Sequence, residues 1–406
     1  MTRRVVVTGM GIITGLGGGK AANLSGIAEG RSAVGRLTSF DASGYRATTG
    51  AEIKGFEFDK ALLKAGARPS RYDRATKLLL TVAHEAMGEA GFADKLPINT
   101  PVVLGTTLGG MLSGSAFHKE IVLNREGAIS SLFDYIAFSQ GVHVAEDNGA
   151  LGSVFSISNA CASGTNAIGF ALNEIRSGAS DVALAGGYDT MCEFTFAGFN
   201  SLQAITTTLC RPFDLRRDGL VLGEGAAVLI LEELDSAKRR GALILAEITG
   251  YGESSDAYHI TRPDPTAAGA SLAIERALKD AGCAPADIDY INAHGTATSF
   301  NDAMEAKAIR EVFKDHSKTV PVSSIKSAVG HILGGAGAVE AVISIVAMNE
   351  SILPSNINYS TPDPECPLNI VDRPGQRHSI RRVLSNSFGF GGANAALVIQ
   401  KVQNER

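Results

Sequence analysis

Two stretches far apart in the chain read almost alike. Residues 158–167 are SNACASGTNA and residues 385–395 are SNSFGFGGANA. Each follows a short apolar run, and each reads as a turn leading into a small-residue helix. A second pair echoes in the same way: PVVLGTTLGG near residue 101 and DYINAHGTATS near residue 289. Repeated units of this kind in one chain point to a duplicated fold. The units alternate strand and helix. VVVTGMG, PVVLGTTLGG, SVFSIS, SDVALAGG and AAVLILEEL read as mostly buried strands. LLLTVAHEAMGEAG reads as a helix, as does the segment after Cys161, where Ile168, Leu172 and Ile175 recur at helical spacing. The expectation is an α/β chain in two similar halves, 1–248 and 249–406. The junction falls within 235–255, where the charged segment DSAKRRG precedes a new strand.

Charge and cysteine usage narrow the function classes. The formal net charge is −5 over 406 residues, so no global basic field exists to hold nucleic acid or an anionic membrane. The start, MTRRVVVTGMGIITG, reads as a first strand and not as a signal peptide. No run approaches the ~18 uninterrupted apolar residues of a membrane span. The cysteines are Cys161, Cys192, Cys210, Cys283 and Cys366, with no C-x-x-C pair. That spacing supports neither a zinc ribbon nor a redox dithiol, and an odd set of scattered thiols fits the cytoplasm. GMGIITGLGGG follows a strand but departs from the dinucleotide fingerprint, and no acidic residue ends the next strand, so nicotinamide binding is not expected.

Chemistry concentrates in three places. Cys161 sits on the turn between a strand and a helix, where unsatisfied N–H groups and the helix dipole favour thiolate over thiol. Small neighbours (Ala160, Ala162, Ser163, Gly164) leave room for an electrophile. A nucleophile and a buried structural cysteine are both open on position alone. Among the histidines, His294 and His331 stand apart. His294 ends an apolar run and is followed by Gly-Thr-Ala-Thr. His331 lies in KSAVGH, beside Lys326 and ahead of a small-residue helix carrying Glu340. Asp302 and Glu305 have the spacing of a capping box for the helix after His294. His259 is a weaker candidate for lining a pocket. The third place is GFGGANA at 389–395, where glycines allow close approach to a ligand and Phe390 suits a gate or an oxyanion loop.

Taken together, NACASG, NAHGTAT, KSAVGH and SFGFGG resemble the β-ketoacyl-[acyl carrier protein] synthases. The likeness is to the elongating KAS I/II type, KAS II above all, in the thiolase superfamily. It runs from VVVTGMGIITGLG through RPFDLRRDGLVLGEGA to NSFGFGGANAALVI. The resemblance implies a thiolase-like fold, two similar halves in a five-layered αβαβα arrangement, and a homodimer. It implies an acyltransferase that condenses an acyl-thioester with malonyl-[acyl carrier protein] by decarboxylative Claisen chemistry, with no cofactor and no metal. Cys161 would be the nucleophile and His294 and His331 the paired histidines. Lys326 would organise the His331 region with Glu340 as its partner. Thr296 and Thr298 would meet the phosphopantetheine arm, Phe390 would gate the nucleophile, and Leu108 would influence acyl-chain fit. Thiolases carry a second cysteine where this chain has GFGG, and initiating KAS III enzymes pair one histidine with asparagine where this chain has His331.

The chain departs from the family pattern at Ser299-Phe300, where Pro is common, at Asn159, where Thr is frequent, and in HGTAT itself. None of these removes a reacting group. They leave open a ketosynthase of a type II polyketide or other specialised pathway. A non-catalytic thiolase-fold partner subunit is the rival of a different class. The implied partner, acyl carrier protein, is acidic in general. Lys60, Lys64, Arg68, Arg71, Arg74 and Lys77 form the candidate basic patch for it.

Overall fold

A computed structural model describes residues 3–62, 72–93, 95–127 and 129–402. Ten strands carry its architecture: β1 (Val5–Thr14), β2 (Val102–Gly105), β3 (Val154–Ile157), β4 (Val182–Asp189), β5 (Gly225–Glu233), β6 (Ala246–Ser255), β7 (Tyr290–Asn292), β8 (Pro321–Ser323), β9 (Arg382–Gly389) and β10 (Ala393–Gln400). The first five pair in the order β1-β5-β4-β2-β3 and the second five in the order β6-β10-β9-β7-β8. Directions match as well. β1–β5 and β5–β4 are antiparallel, while β4–β2 and β2–β3 are parallel. β6–β10 and β10–β9 are antiparallel, while β9–β7 and β7–β8 are parallel. The half-sheets meet where β1 pairs with β6 through Val6↔Glu247 and Val7↔Ala246.

Helices fill the layers between and outside these sheets. α1 (Arg74–Ala90) covers the outer face of the first, packing on β1, β4 and β5. α2 (Ser163–Arg176) and α3 (Ala336–Glu350) pack on each other, and each touches strands of both half-sheets. α4 (Ala268–Asp280) covers β6 and β10, with α5 (Ser299–Phe313) against it. The result is helix, sheet, helix pair, sheet, helix: the expected five layers. Sequence decides which helix goes where. α1 buries one stripe, with Leu78, Leu79, Val82, Ala83, Ala86 and Met87 inward. It starts on an Asp73 cap whose carboxylate accepts from the Thr76 N–H at 2.7 Å. α3 is apolar around most of its circumference, as a helix between two sheets must be. Leu333–Glu350 is long and apolar enough to cross a membrane, and 83% of it is buried inside the protein. Its central position accounts for its apolarity.

Close helix packing needs missing side chains. A Cβ on Gly337 of α3 would lie 2.1 Å from Thr165 Oγ1 of α2. In β1 a Cβ on Gly11 would lie 1.9 Å from the Val82 carbonyl oxygen of α1. The first GMG therefore brings a helix down onto a strand.

The duplication is real, but one of the two echoes pairs the wrong segments. PVVLGTTLGG and DYINAHGTATS lie on β2 and β7, which hold the same place in the two strand orders. SNACASGTNA follows β3, whereas SNSFGFG is β9 itself, the counterpart of β4. No helix follows SNSFGFG; a turn at Phe390–Gly392 leads straight into β10. The true counterpart of the Cys161 turn is the connection from β8 to α3, which carries Lys326 and His331. A shared taste for small residues at tight turns produced the false match.

Candidate active site

The predicted residues converge at the carboxyl ends of the strands. Cys161 follows β3, His294 follows β7, His331 follows β8 and Phe390 follows β9. In α/β sheets that is the edge where ligands bind. The turn that presents Cys161 is sharp: Ala160 has φ 48°, a left-handed conformation rare for a residue with a side chain. Ser163 braces it, accepting from the Asn159 N–H at 2.8 Å and donating to the Ala160 carbonyl at 2.6 Å.

His331 is held by its backbone. Its N–H donates to the Val221 carbonyl at 2.7 Å, and its carbonyl accepts from Gly223 N–H at 2.9 Å. This aims its Nε2 at Cys161 Sγ, 3.0 Å away. The His294 ring stands nearly perpendicular to the His331 ring, with centroids 5.2 Å apart. One ligating atom from each of Cys161, His294 and His331 lies within 4.8 Å of the others. Donors of these types suit zinc. However, the Lys326 ammonium sits 3.3 Å from His294 Nδ1, placing a fixed positive charge beside any such ion.

Lys326 differs from its expected place. Its ammonium reaches His294 and not His331. It donates to the His294 carbonyl at 2.6 Å and lies against Nδ1, while an ion pair with Glu340 balances its charge. An ammonium can only donate, so Nδ1 accepts and the His294 proton resides on Nε2. Lys326 and Glu340 are both buried. Asp302 and Glu305 also differ from expectation. They cap no helix end; α5 has Thr298 at its N-cap position, without a side-chain cap. Glu305 takes the backbone N–H groups of His294 and Gly295 at 2.8 and 2.7 Å, and Asp302 takes those of Thr296 and Ala297 at 3.0 and 3.2 Å. The first turns of α5 thus grip the loop that precedes them.

Burial sets the protonation states. Desolvation holds both histidines well below the ordinary imidazole range, and the Lys326 charge pushes the same way, so both rings are neutral. Desolvation pushes the Cys161 thiol up to about 12, against the pull of Lys326 and of the Phe390 N–H that bonds the sulfur. The expected thiolate is therefore a thiol at rest: burial outweighs the helix end. Alkylation of Cys161 by iodoacetamide is expected to accelerate steadily through pH 9 and above. A rate that levels off near pH 7 would contradict this.

A cavity of about 360 Å³ opens onto the cluster. Cys161, His294, His331, Thr296, Thr298 and Phe390 all line it. Thr296 and Thr298 hydroxyls bond each other at 2.8 Å. Phe390 is partly exposed and stacks on Phe199, ring centroids 5.7 Å apart, from the helix Glu193–Ser201. Leu108 does not line the cavity. It lies behind Phe199 in an apolar cluster with Met191, Phe196, Leu222 and Leu333. His259 also lies off the cavity, where its Nδ1 accepts from the Thr261 N–H. Of the proposed basic patch, Arg74 is already taken: its guanidinium bonds both oxygens of buried Glu224. Lys64, Arg68 and Arg71 fall outside the described residues. Lys60 is exposed and Lys77 half-buried.

One supporting residue escaped the sequence reading. Asp189, at the end of β4, is fully buried, and among the described residues it makes no ion pair. Its carboxylate accepts from Thr106 Oγ1 and from the N–H groups of Thr107, Leu108 and Gly334, at 2.7 to 3.0 Å. It ties the loop after β2 to the turn after His331. An acid directly after Gly-Gly-Tyr at a strand end was the available signal.

A duplicated five-layer fold with a cysteine and two neutral histidines at the sheet edge defines a thiolase-like condensing enzyme. Comparison with known proteins agrees. Residues 2–237 match the family model "Beta-ketoacyl synthase, N-terminal domain", and residues 245–360 match "Beta-ketoacyl synthase, C-terminal domain". The chain belongs to the beta-ketoacyl synthase family. It is 38% identical to 3-oxoacyl-[acyl-carrier-protein] synthase 2 of Staphylococcus aureus (strain N315), over 99% of both chains. Among solved structures it is similar to the ishigamide ketosynthase/chain length factor, with a TM-score of 0.94 and 33% identity over 99% of this chain and 100% of that one. It is also similar to a type II polyketide acyl-carrier protein in complex with its ketosynthase bound to the hexaketide, with a TM-score of 0.88 and 29% identity over 99% and 100%.

Proposed function

We propose that the chain condenses an acyl-thioester with malonyl-[acyl carrier protein], releasing CO2 and a 3-oxoacyl product, in fatty acid or related chain elongation. The observation that carries this is the 3.0 Å approach of His331 Nε2 to Cys161 Sγ, with the neutral His294 ring in the same cavity. In the first half-reaction the Cys161 sulfur attacks the acyl carbonyl and the carrier leaves as a thiol. The proton lost by Cys161 passes to that leaving sulfur, and His331 stays neutral throughout. Backbone N–H groups of Cys161 and Phe390 flank the sulfur and suit an oxyanion hole, where one donor is worth ~3 kcal/mol.

In the second half-reaction malonyl thioester lies with its carbonyl oxygen between the two imidazoles. As CO2 leaves, charge collects on that oxygen. N–H donors fixed at this point stabilise the enolate more than the ground state, which is what accelerates the step. Lys326 is suited to this role because it holds the His294 proton on Nε2. The enolate carbon then attacks the acyl carbonyl, and Cys161 is released and takes up a proton. Thr296 and Thr298 hold the carrier arm, and Phe390 with Phe199 closes the path to the apolar cluster around Leu108, where the acyl tail lodges. Residues 1–248 supply the nucleophile; residues 249–406 supply His294, Lys326, His331 and the GFGG loop.

The partner is acyl carrier protein, and the assembly is a homodimer in the cytoplasm. Among the described residues β3 is an edge strand paired with β2 alone, and Ile129, Phe133, Ile136 and Leu151 are exposed on neighbouring segments. All five cysteines are free. Similarity to a ketosynthase/chain length factor keeps a specialised acyl pathway as the second reading. The test is direct: acyl- and malonyl-[acyl carrier protein] with the purified protein should give 3-oxoacyl product and stoichiometric CO2, at twice the monomer mass by sedimentation. No product from any acyl length, with or without a partner subunit, would end the proposal.

A further inference from the structure

We propose that Arg262 binds the phosphate ester at the far end of the substrate's pantetheine arm, at the mouth of the cavity. The inference deepens the function proposed above and rests on it. Arg262 is the cationic side chain among the described residues lining the cavity, where the histidines are neutral. Its guanidinium lies over the Phe300 ring, 4.9 Å from the centroid, and Phe300 lines the cavity too. Among the described residues it makes no ion pair. The two lining acids are occupied elsewhere: Asp256 accepts from Asn394 Nδ2 and the Asp264 N–H, and Asp218 from Thr206 and Thr208. Arg262 is exposed, so its charge is held at the entrance and not among the reacting groups.

The segment that carries it is fixed to the gate. Ile260 accepts from the Gly391 N–H at 2.7 Å, and the Thr261 N–H donates to His259 Nδ1 at 3.1 Å. The Phe300 ring underlies the guanidinium, whose N–H groups make no hydrogen bond among the described residues and suit paired hydrogen bonds to a phosphate. A substrate threaded past Thr298 and Phe300 presents its far end to these N–H groups.

The experiment compares malonyl-4′-phosphopantetheine with malonyl-pantetheine, which lacks only the phosphate. The wild type is expected to favour the phosphorylated thioester by roughly five- to tenfold in kcat/KM, mostly through KM. Arg262→Gln should bring that ratio close to one, and Phe300→Leu should move it part of the way. Malonyl-carrier protein and malonyl-CoA should both weaken in Arg262→Gln, since each carries a phosphate at that point. A loss confined to CoA would assign the arginine to CoA's additional phosphates and overturn the proposal. An unchanged ratio in Arg262→Gln would overturn it while leaving the condensation reading intact. Failure of the wild type to turn over any of these thioesters would instead count against the function itself.

Discussion

Cys161→Ala makes no 3-oxoacyl product. The two histidines stay where their backbones hold them, so malonyl thioester still binds and still loses CO2, but no acyl group waits to be attacked. Removing a nucleophile that acts with a partnered base costs at least about ten-thousandfold in turnover. The fold tolerates the change, because alanine fits the turn that Ala160 already enters at φ 48° and leaves only a sulfur-sized gap. Two assays on one sample check this: radiolabelled acyl transfer to protein falls to background, and CO2 release from malonyl thioester persists. Product at near wild-type rate would show that Cys161 is a packed core residue and nothing more.

Lys326→Met has a second large effect, on stability and activity together. Met fills the volume but leaves the Glu340 carboxylate buried without a cation. Breaking such a pair by removing one partner costs about 3–5 kcal/mol. Activity falls about a hundredfold or more, because His294 Nδ1 loses the donor that fixes its tautomer. The two losses separate in a double variant. Adding Glu340→Gln removes the stranded charge and recovers most of the stability, but not the activity.

The pH dependence follows from sign. Burial already raises the Glu340 carboxyl to about 7, above its unfolded value, and removal of Lys326 raises it further. A raised carboxyl contributes fully below its unfolded pKa and loses that contribution as pH climbs through the folded one. The stability gap between wild type and Lys326→Met therefore widens from pH 5 to pH 8, which urea melts at each pH will show. A gap independent of pH would mean that Glu340 is not the stranded charge.

Much of the site was legible because its chemistry is carried by rare residue types at punctuated turns. Cys161, His294 and His331 each stand where an apolar run stops and small residues begin, and the structure brings all three to one cavity. What stayed hidden depends on the third dimension. Nothing local tells that the Lys326 ammonium turns to His294, 32 positions back, and not to the nearer His331. Glu305 and Asp302 share their spacing with a capping box, and only the path of the loop before them shows that they hold its N–H groups. The upward push on the Cys161 thiol stayed hidden for a related reason. A helix end is visible in sequence, whereas burial is not. The strand pattern was read well where apolar runs were long. It failed at SNSFGFGGANA, where small residues mimic a turn before a helix but form a strand, a turn and another strand.

The matching strand orders have a consequence for how such a catalyst can change. The sulfur and the imidazole that meets it occupy corresponding loops of two copies of one design, so the reacting centre lies at the seam between the copies. Each copy has specialised, one toward covalent capture and the other toward proton handling, and neither retains a working set. Severed fragments ending before and starting after the DSAKRRG segment would be chemically mute apart. Only their reassociation across the paired central helices could restore turnover, which makes the seam itself the unit that inheritance must preserve.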